Sequence, residues 1–248
     1  MAVILMKIFE ESPRKFDRWM HLLTFGRLQQ IRDEILQTVQ PGSRFLEIGC
    51  GTGALATMLA QRGARVVGID VSDKMIETAR EKLEEAGLSG QVEARRLHGL
   101  QLEDAFLAAE FDHVLSVLAL SEMTDDEIDC LLPQCRKVLQ PRGKLILVDE
   151  VIPDKFFSRA VYGVYRFIAR LVTYLGLQAA EIKKASLLTK VLYFLIELPL
   201  ILLTFLVVPA ATHPLFRLEQ RVERSGFRVT SSKSYLGGTL KLLLAERA

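Results

Sequence analysis

Ten consecutive residues constrain this chain more than any others: Arg44-Phe45-Leu46-Glu47-Ile48-Gly49-Cys50-Gly51-Thr52-Gly53. The first five read as a short buried strand carrying one carboxylate, and the glycines then recur at alternate positions before a helical pattern over residues 54–62. A glycine-rich turn between a strand and the next helix belongs to a parallel α/β sheet. Glycine serves such a turn where φ must be positive or where backbone approaches a ligand too closely for a Cβ. The turn lies at the C-terminal edge of the strands, where open α/β sheets bind nucleotide-like ligands. Glu47 discriminates among them. It would repel a pyrophosphate seated on the helix end, and the glycine spacing departs from the dinucleotide fingerprint. A ligand with a positively charged end suits the acid.

Further along, Arg65-Val66-Val67-Gly68-Ile69-Asp70 reads as a second short strand closed by a carboxylate, a place from which an acid accepts ribose hydroxyls. Together the Glu47-x-Gly49-x-Gly51-x-Gly53 and Val66-Val67-Gly68-Ile69-Asp70 stretches resemble the first two motifs of class I S-adenosylmethionine-dependent methyltransferases. That cofactor is an adenosine with a sulfonium and a zwitterionic tail and has no phosphate. The resemblance implies that Glu47, Gly49, Cys50, Gly51 and Gly53 hold the tail side and Asp70 the ribose. It also implies Val71 and Met75 on the face of the adenine, backbone at Gly99 and Leu100 on its edge, and Ser116 and Val117 at the end of the fourth strand. The family often carries Gly-Asp after its third strand. Here Leu97-His98-Gly99-Leu100-Gln101 offers no carboxylate to the adenine amino group.

Residues 110–117 are similar to the family's fourth strand, and residues 138–149 to its turn and fifth strand. Helical patterns occupy 74–86 and 125–138, and Gly226-Phe227-Arg228-Val229 and residues 239–244 supply two more strands. The expected fold is α/β, a Rossmann-like seven-stranded, mostly parallel sheet with helices on both faces. A helical cap is expected over 1–40, the cofactor-binding domain over 41–150 and 220–248, and a helical hydrophobic cover over 151–219, inserted between strands five and six.

The insertion is unusual in being both basic and apolar. Residues 151–222 carry 9 Lys/Arg against 4 Asp/Glu, a charge of +5 in a chain whose net charge is +2. Val161, Val164, Tyr165, Ile168, Leu171, Val172 and Leu175 recur at helical spacing, with Arg159, Arg166 and Arg170 on the other side. This pattern suits a helix on a membrane surface, and equally one that caps the sheet with its arginines solvated. Residues 191–211 contain a single charge, Glu197, and are long enough to cross a bilayer. One crossing would part strands six and seven from their own sheet. A second span at 161–177 would bury Arg166 and Arg170 at roughly 2.5–3.5 kcal/mol each. A monotopic cover over a hydrophobic acceptor remains, with Pro199 breaking the helix.

Methyl transfer from a sulfonium needs positioning and desolvation, and a base only where the acceptor loses a proton. The Asn/Asp-Pro-Pro-Tyr signature of many amine methylases is replaced after strand four by Ser116-Val117-Leu118-Ala119. A hydrophobic small-molecule acceptor, a lipid or quinone-like compound, is therefore expected. Candidate bases are Glu122 beyond strand four, Asp149 and Glu150 at the tip of strand five, and His213 in the cover. Glu122 reads equally as a helix cap or the partner of a lysine, and His213 equally as a turn residue, while His113 reads as a strand residue near the opposite end of the sheet. Phe16-Asp17 is placed to close over the cofactor or to sit on an ordinary surface helix.

The N-terminal stretches 6–18 and 23–28 resemble the opening of corrinoid protein-associated methyltransferases, relatives of the quinone C-methyltransferase group, and Leu198-Pro199, residues 210–214 and the ending at 237–242 are also similar. That implies a corrinoid protein as an alternative partner, and a non-catalytic adenosylmethionine sensor is a further alternative. Cys50, Cys130 and Cys135 have neither zinc-site nor disulfide-frame spacing and read as free thiols, with no metal expected. The near-neutral charge leaves no nucleic-acid footprint. No secretory signal is legible, so the expected location is cytoplasmic, with peripheral membrane contact as the alternative.

Overall fold

The computed structural model describes Pro13, Asp17, Met20, His21, Thr24, residues 26–151, Leu215 and residues 217–248. Within them run strands β1 (Arg44–Ile48), β2 (Arg65–Asp70), β3 (Val92–Arg96), β4 (Phe111–Val117), β5 (Leu139–Glu150), β6 (Phe227–Tyr235) and β7 (Leu240–Arg247). The helices are α1 (Arg27–Leu36), α2 (Ala54–Gln61), α3 (Asp73–Glu85), α4 (Leu102–Ala105), α5 (Asp125–Val138) and α6 (Leu218–Arg224). The strands form one seven-stranded sheet in the order β3-β2-β1-β4-β5-β7-β6. β1 to β5 pair in parallel, and β7 runs antiparallel to both neighbours. The chain starts in the middle, moves outward to β3 and then returns to β4. The crevice at the C-terminal ends of β1 and β4 is therefore the topological switch point, where such sheets take their ligands.

Successive residues of a strand face opposite sides, so β1 feeds two cores. Phe45 joins Ile31, Ile35, Leu59, Ile76 and Leu83 of α1, α2 and α3 on one face. Leu46 and Ile48 join Val114, Ile128, Leu131 and Val222, with α5 and α6, on the other. Burial on both faces explains why these strands read as apolar runs and not as alternating patterns. Capping fixes the helix starts: the Ser72 hydroxyl accepts the Met75 N–H at 3.4 Å ahead of α3, and Thr124 and Glu127 cap α5 reciprocally.

Two boundaries differ from the sequence expectation. The turn expected at residues 138–143 lies inside β5. Leu139 already pairs with Phe111, and the register shifts before the His113–Lys144 pair. Arg142 takes φ 63°, and a Cβ on Gly143 would stand 2.8 Å from the Gln140 carbonyl, so the chain bulges without leaving the sheet. β6 also runs well beyond the expected 226–229, because pairing along the whole of β7 extends it.

The sheet and its helices belong to one compact unit, Met1–Ile152 with Thr212–Ala248. Val151 and Leu215 form a parallel bridge in which the Leu215 N–H donates to the Glu150 carbonyl at 2.8 Å. The apolar run 191–211, the arginines at 159, 166 and 170, and His213 lie outside the described residues. Among the described residues no helix is long and apolar enough to cross a membrane.

Candidate active site

The turn after β1 is built from left-handed backbone: Gly49, Gly51 and Gly53 take φ of 74°, 52° and 72°. At Gly49 the requirement is also steric, since a Cβ there would stand 2.4 Å from Ala119 Cβ in the loop after β4. The two loops that flank the switch point are thus in contact.

Four amides of this turn are already engaged within the protein. The N–H groups of Gly49 and Cys50 both donate to the Ile69 carbonyl, at 2.8 and 3.0 Å, and that of Gly53 to the Cys50 carbonyl at 2.9 Å. The Gly51 N–H donates to Asp70 Oδ2 at 2.9 Å. A turn this tight spends its donors on the neighbouring strand. Cys50 likewise turns inward. Its side chain fills the space over Gly68, where a Cβ would come within 2.9 Å of Cys50 Cβ, and burial pushes the thiol well above its usual range.

Glu47 shares a face with Phe45 and is almost wholly buried. Burial raises its carboxyl to about 8, with the Asp70 charge adding to the effect and Arg32 and the Ala56 amide opposing it. Among the described residues its Oε2 has no hydrogen-bond partner. Buried polar atoms are rarely left so, and a carboxylate held this way is prepared for a cation.

Asp70 closes β2. Besides Gly51 it takes the Ser72 N–H on Oδ1 at 2.9 Å, and burial raises its carboxyl against these hydrogen bonds. The carboxylate keeps acceptor capacity for a hydroxyl donor beyond its backbone N–H bonds from Ser72, Gly51 and Val71. The next residue, Val71, is 55% exposed, whereas Met75 is 2% exposed and belongs to the core. Val71 is the exposed apolar surface beside Asp70, and Met75 sits buried in the first turn of α3.

The loop after β3 is also more committed than expected. His98 Nδ1 accepts the Leu100 N–H at 3.2 Å, and the Gln101 side chain accepts the His98 N–H at 3.4 Å, a reciprocal cap. The Leu100 amide is therefore engaged. Gly99 is buried, and a Cβ on it would meet Ile48 and Leu131 at 3.4 and 3.5 Å. The His98-x-x-Gln101 spacing was the sequence signal for this cap. Ser116 lies in register with Ile48 and Leu147, buried, with an unpartnered Oγ, and Val117 follows it half-buried.

Of the candidate bases, Asp149 is corrected. It is fully buried and accepts the N–H groups of Leu120, Ser121 and Glu150 at 2.8, 3.2 and 2.7 Å. Burial raises it to about 6 against those hydrogen bonds. It anchors the loop after β4, in which Leu118 takes φ 59°. Glu122 ends that loop exposed at the C-terminal edge of the sheet, and the cap of α5 is Thr124, not Glu122. His113 stacks on Phe45 with centroids 4.3 Å apart, and burial lowers it to about 4. Asp17 reaches the glycine turn: its Oδ2 accepts the Thr52 hydroxyl at 2.9 Å and Lys82 Nζ at 2.7 Å. Neither Thr52 nor Lys82 stood out in the sequence.

A buried carboxyl with one open oxygen, a left-handed glycine cradle and an exposed valine beside an acid together fit an adenosine that carries a cationic amino-acid tail. Fold and site define a cofactor-binding α/β transferase. A methyltransferase domain family matches residues 45–143. Demethylmenaquinone methyltransferase of Bacillus cereus (strain B4264) is 32% identical over 164 residues, which cover 64% of this chain and 67% of that protein. Its counterpart in Bacillus velezensis is 28% identical over 163 residues, covering 64% and 68%. The chain belongs to the class I S-adenosylmethionine-dependent methyltransferases, in the quinone methyltransferase-like group, and S-adenosylmethionine is its cofactor. The fold is similar to that of magnesium protoporphyrin IX methyltransferase from Synechocystis PCC 6803 with bound SAH (TM-score 0.63, 19% identity, 100% of both chains). It is also similar to a SAM-dependent methyltransferase from Aquifex aeolicus (TM-score 0.62, 15% identity, 96% of this chain and 98% of that one).

Proposed function

We propose that this methyltransferase acts on a quinone-like hydrophobic small molecule. The observation that carries the reading is the similarity to demethylmenaquinone methyltransferases over two thirds of their length. The apolar insertion supports it, since a water-soluble acceptor does not need so apolar a cover. The cofactor, when bound, supplies a methyl group on a positively charged sulfur that leaves as a neutral thioether. Glu47 receives the ammonium of the amino-acid tail, Asp70 the ribose hydroxyls, and Val71 packs against the adenine. Glu122 takes the proton that the accepting atom sheds as its new bond to carbon forms. Asp149 keeps the loop carrying Glu122 in place.

Purified protein, labelled S-adenosylmethionine and a short-tailed demethylmenaquinol test the acceptor class, with water-soluble phenols and amines as competitors. Label should enter the quinol fraction. Label found only in the phenols and amines would end the quinone reading and leave the methyltransferase class intact. A lipophilic acceptor also gives the basic insertion a use at a membrane surface. Sedimentation with anionic liposomes at low salt should carry the protein down, and replacing Arg159, Arg166 and Arg170 with glutamate should release it. The corrinoid-protein partner rests on the resemblance of the N-terminal, 198–199, 210–214 and 237–242 stretches.

A further inference from the structure

We propose that Asp17 is a positioning residue for the cofactor, acting through the Thr52 hydroxyl to hold the glycine turn. The proposal rests on that turn being the cofactor site. In Gly49-Cys50-Gly51-Thr52-Gly53 the three glycines have no side chain and Cys50 is committed to the space over Gly68. Thr52 is the one remaining side chain by which the turn can be gripped from outside β1 and β2. It is 2% exposed, and its hydroxyl donates to Asp17 Oδ2 at 2.9 Å. Lys82, in the last turn of α3, donates to the same oxygen at 2.7 Å. One carboxylate oxygen thus ties the glycine turn to the helix that follows β2.

The Asp70 carboxylate grips the same turn from the sheet side, at the Gly51 N–H. The peptides around Gly51 and Thr52 are therefore held from both sides, although their glycines favour many conformations. A binding surface fixed before the ligand arrives loses less entropy on binding. Removing Asp17 frees one side of the turn without opening the core, because Asp17 and Lys82 are 29% and 31% exposed at their side chains. The Thr52 bond carries the effect. The Lys82 ion pair, partly in water, adds little.

The test is calorimetry with S-adenosylmethionine and S-adenosylhomocysteine, together with steady-state kinetics. Asp17→Ala and Thr52→Val should each weaken both ligands about tenfold and raise the KM for the cofactor, with the KM for the acceptor and the melting temperature unchanged. The double variant should bind no more weakly than either single one, since both remove the same contact. Asp17→Asn, whose amide oxygen still accepts the Thr52 hydroxyl, and Thr52→Ser should stay within about threefold of wild type. Asp70→Ala is the control for the site. If it loses binding while Asp17→Ala and Thr52→Val do not, the positioning role is wrong and the site stands. If Asp70→Ala also binds normally, the site reading fails and this proposal fails with it.

Discussion

The Asp70 carboxylate accepts the Gly51 N–H at 2.9 Å, so the acid that ends β2 holds the glycine turn that follows β1. One residue therefore shapes the turn and, in the proposed site, also offers an acceptor to the ribose. Asp70→Ala should weaken S-adenosylmethionine binding more than tenfold, at least the roughly 1.5–3 kcal/mol of a charged hydrogen bond. Isothermal calorimetry measures it, and NAD bound by wild type in place of S-adenosylmethionine would overturn the site.

Gly49→Ala should unfold more readily than any change at the ligand surface. It puts a Cβ on a backbone with φ 74° and 2.4 Å from Ala119 Cβ. Strain and overpacking together should cost at least about 2 kcal/mol in chemical denaturation. Ala119→Gly in the same chain should recover part of the loss, because it removes the clash and leaves the strain.

Glu47 should make the cofactor-free protein less stable as pH rises. Its folded carboxyl sits at about 8 against an ordinary 4.5, so between these values the folded state holds a proton that the unfolded state has lost. Stability is then lost on going up through that window, by at most about 1.4 kcal/mol per pH unit. His113, lowered from 6.5 to about 4, has the opposite sign below pH 6.5, and Asp149, raised from 3.8 to about 6, also acts below that range. The interval from 6.5 to 8 is therefore where Glu47 is seen most cleanly. Melting temperatures of wild type should fall across it, and those of Glu47→Gln should stay flat. An ammonium bound at Glu47 would favour its ionised form, so cofactor binding at pH 7 should release a proton, measurable by calorimetry in buffers of different ionisation heat.

Asp149→Asn should lose stability, by about 1–3 kcal/mol, because an amide N–H₂ would face backbone N–H groups that now donate to a carboxylate. Thermal melting reads the loss. A variant that melts like wild type and has lost turnover would restore Asp149 as a base.

Glu122→Gln should lower kcat at least tenfold while leaving the cofactor dissociation constant unchanged. Turnover and calorimetry on one preparation separate the two, and an unaltered kcat would remove Glu122 from the chemistry.

Much of this protein was legible in the chain itself. Strands buried on both faces must be apolar throughout, a turn of positive φ must be glycine, and a carboxylate at a strand tip serves a ribose. The sheet and its mostly parallel direction follow from such local requirements, and the cofactor class from the resemblance that the Glu47-to-Gly53 and Val66-to-Asp70 stretches carry. Which way each side chain of the site points does not, because burial depends on what the neighbouring elements bring. Met75 and Val71 lie four residues apart, yet α3 turns one into the core and leaves the other in the open. Asp149 looked like a base at a strand tip until the loop after β4 folded back and gave it three N–H donors. The amides of Gly49 and Cys50 go to the Ile69 carbonyl of β2 and that of Gly51 to Asp70, partners that no local pattern in the chain shows. Thr52 and Lys82, 30 residues apart in sequence, meet on Asp17 only once α3 has packed beside the turn. The covalent pattern determined the kind of ligand; the packing of β2, α3 and the loop after β4 decided which atoms are left to hold it.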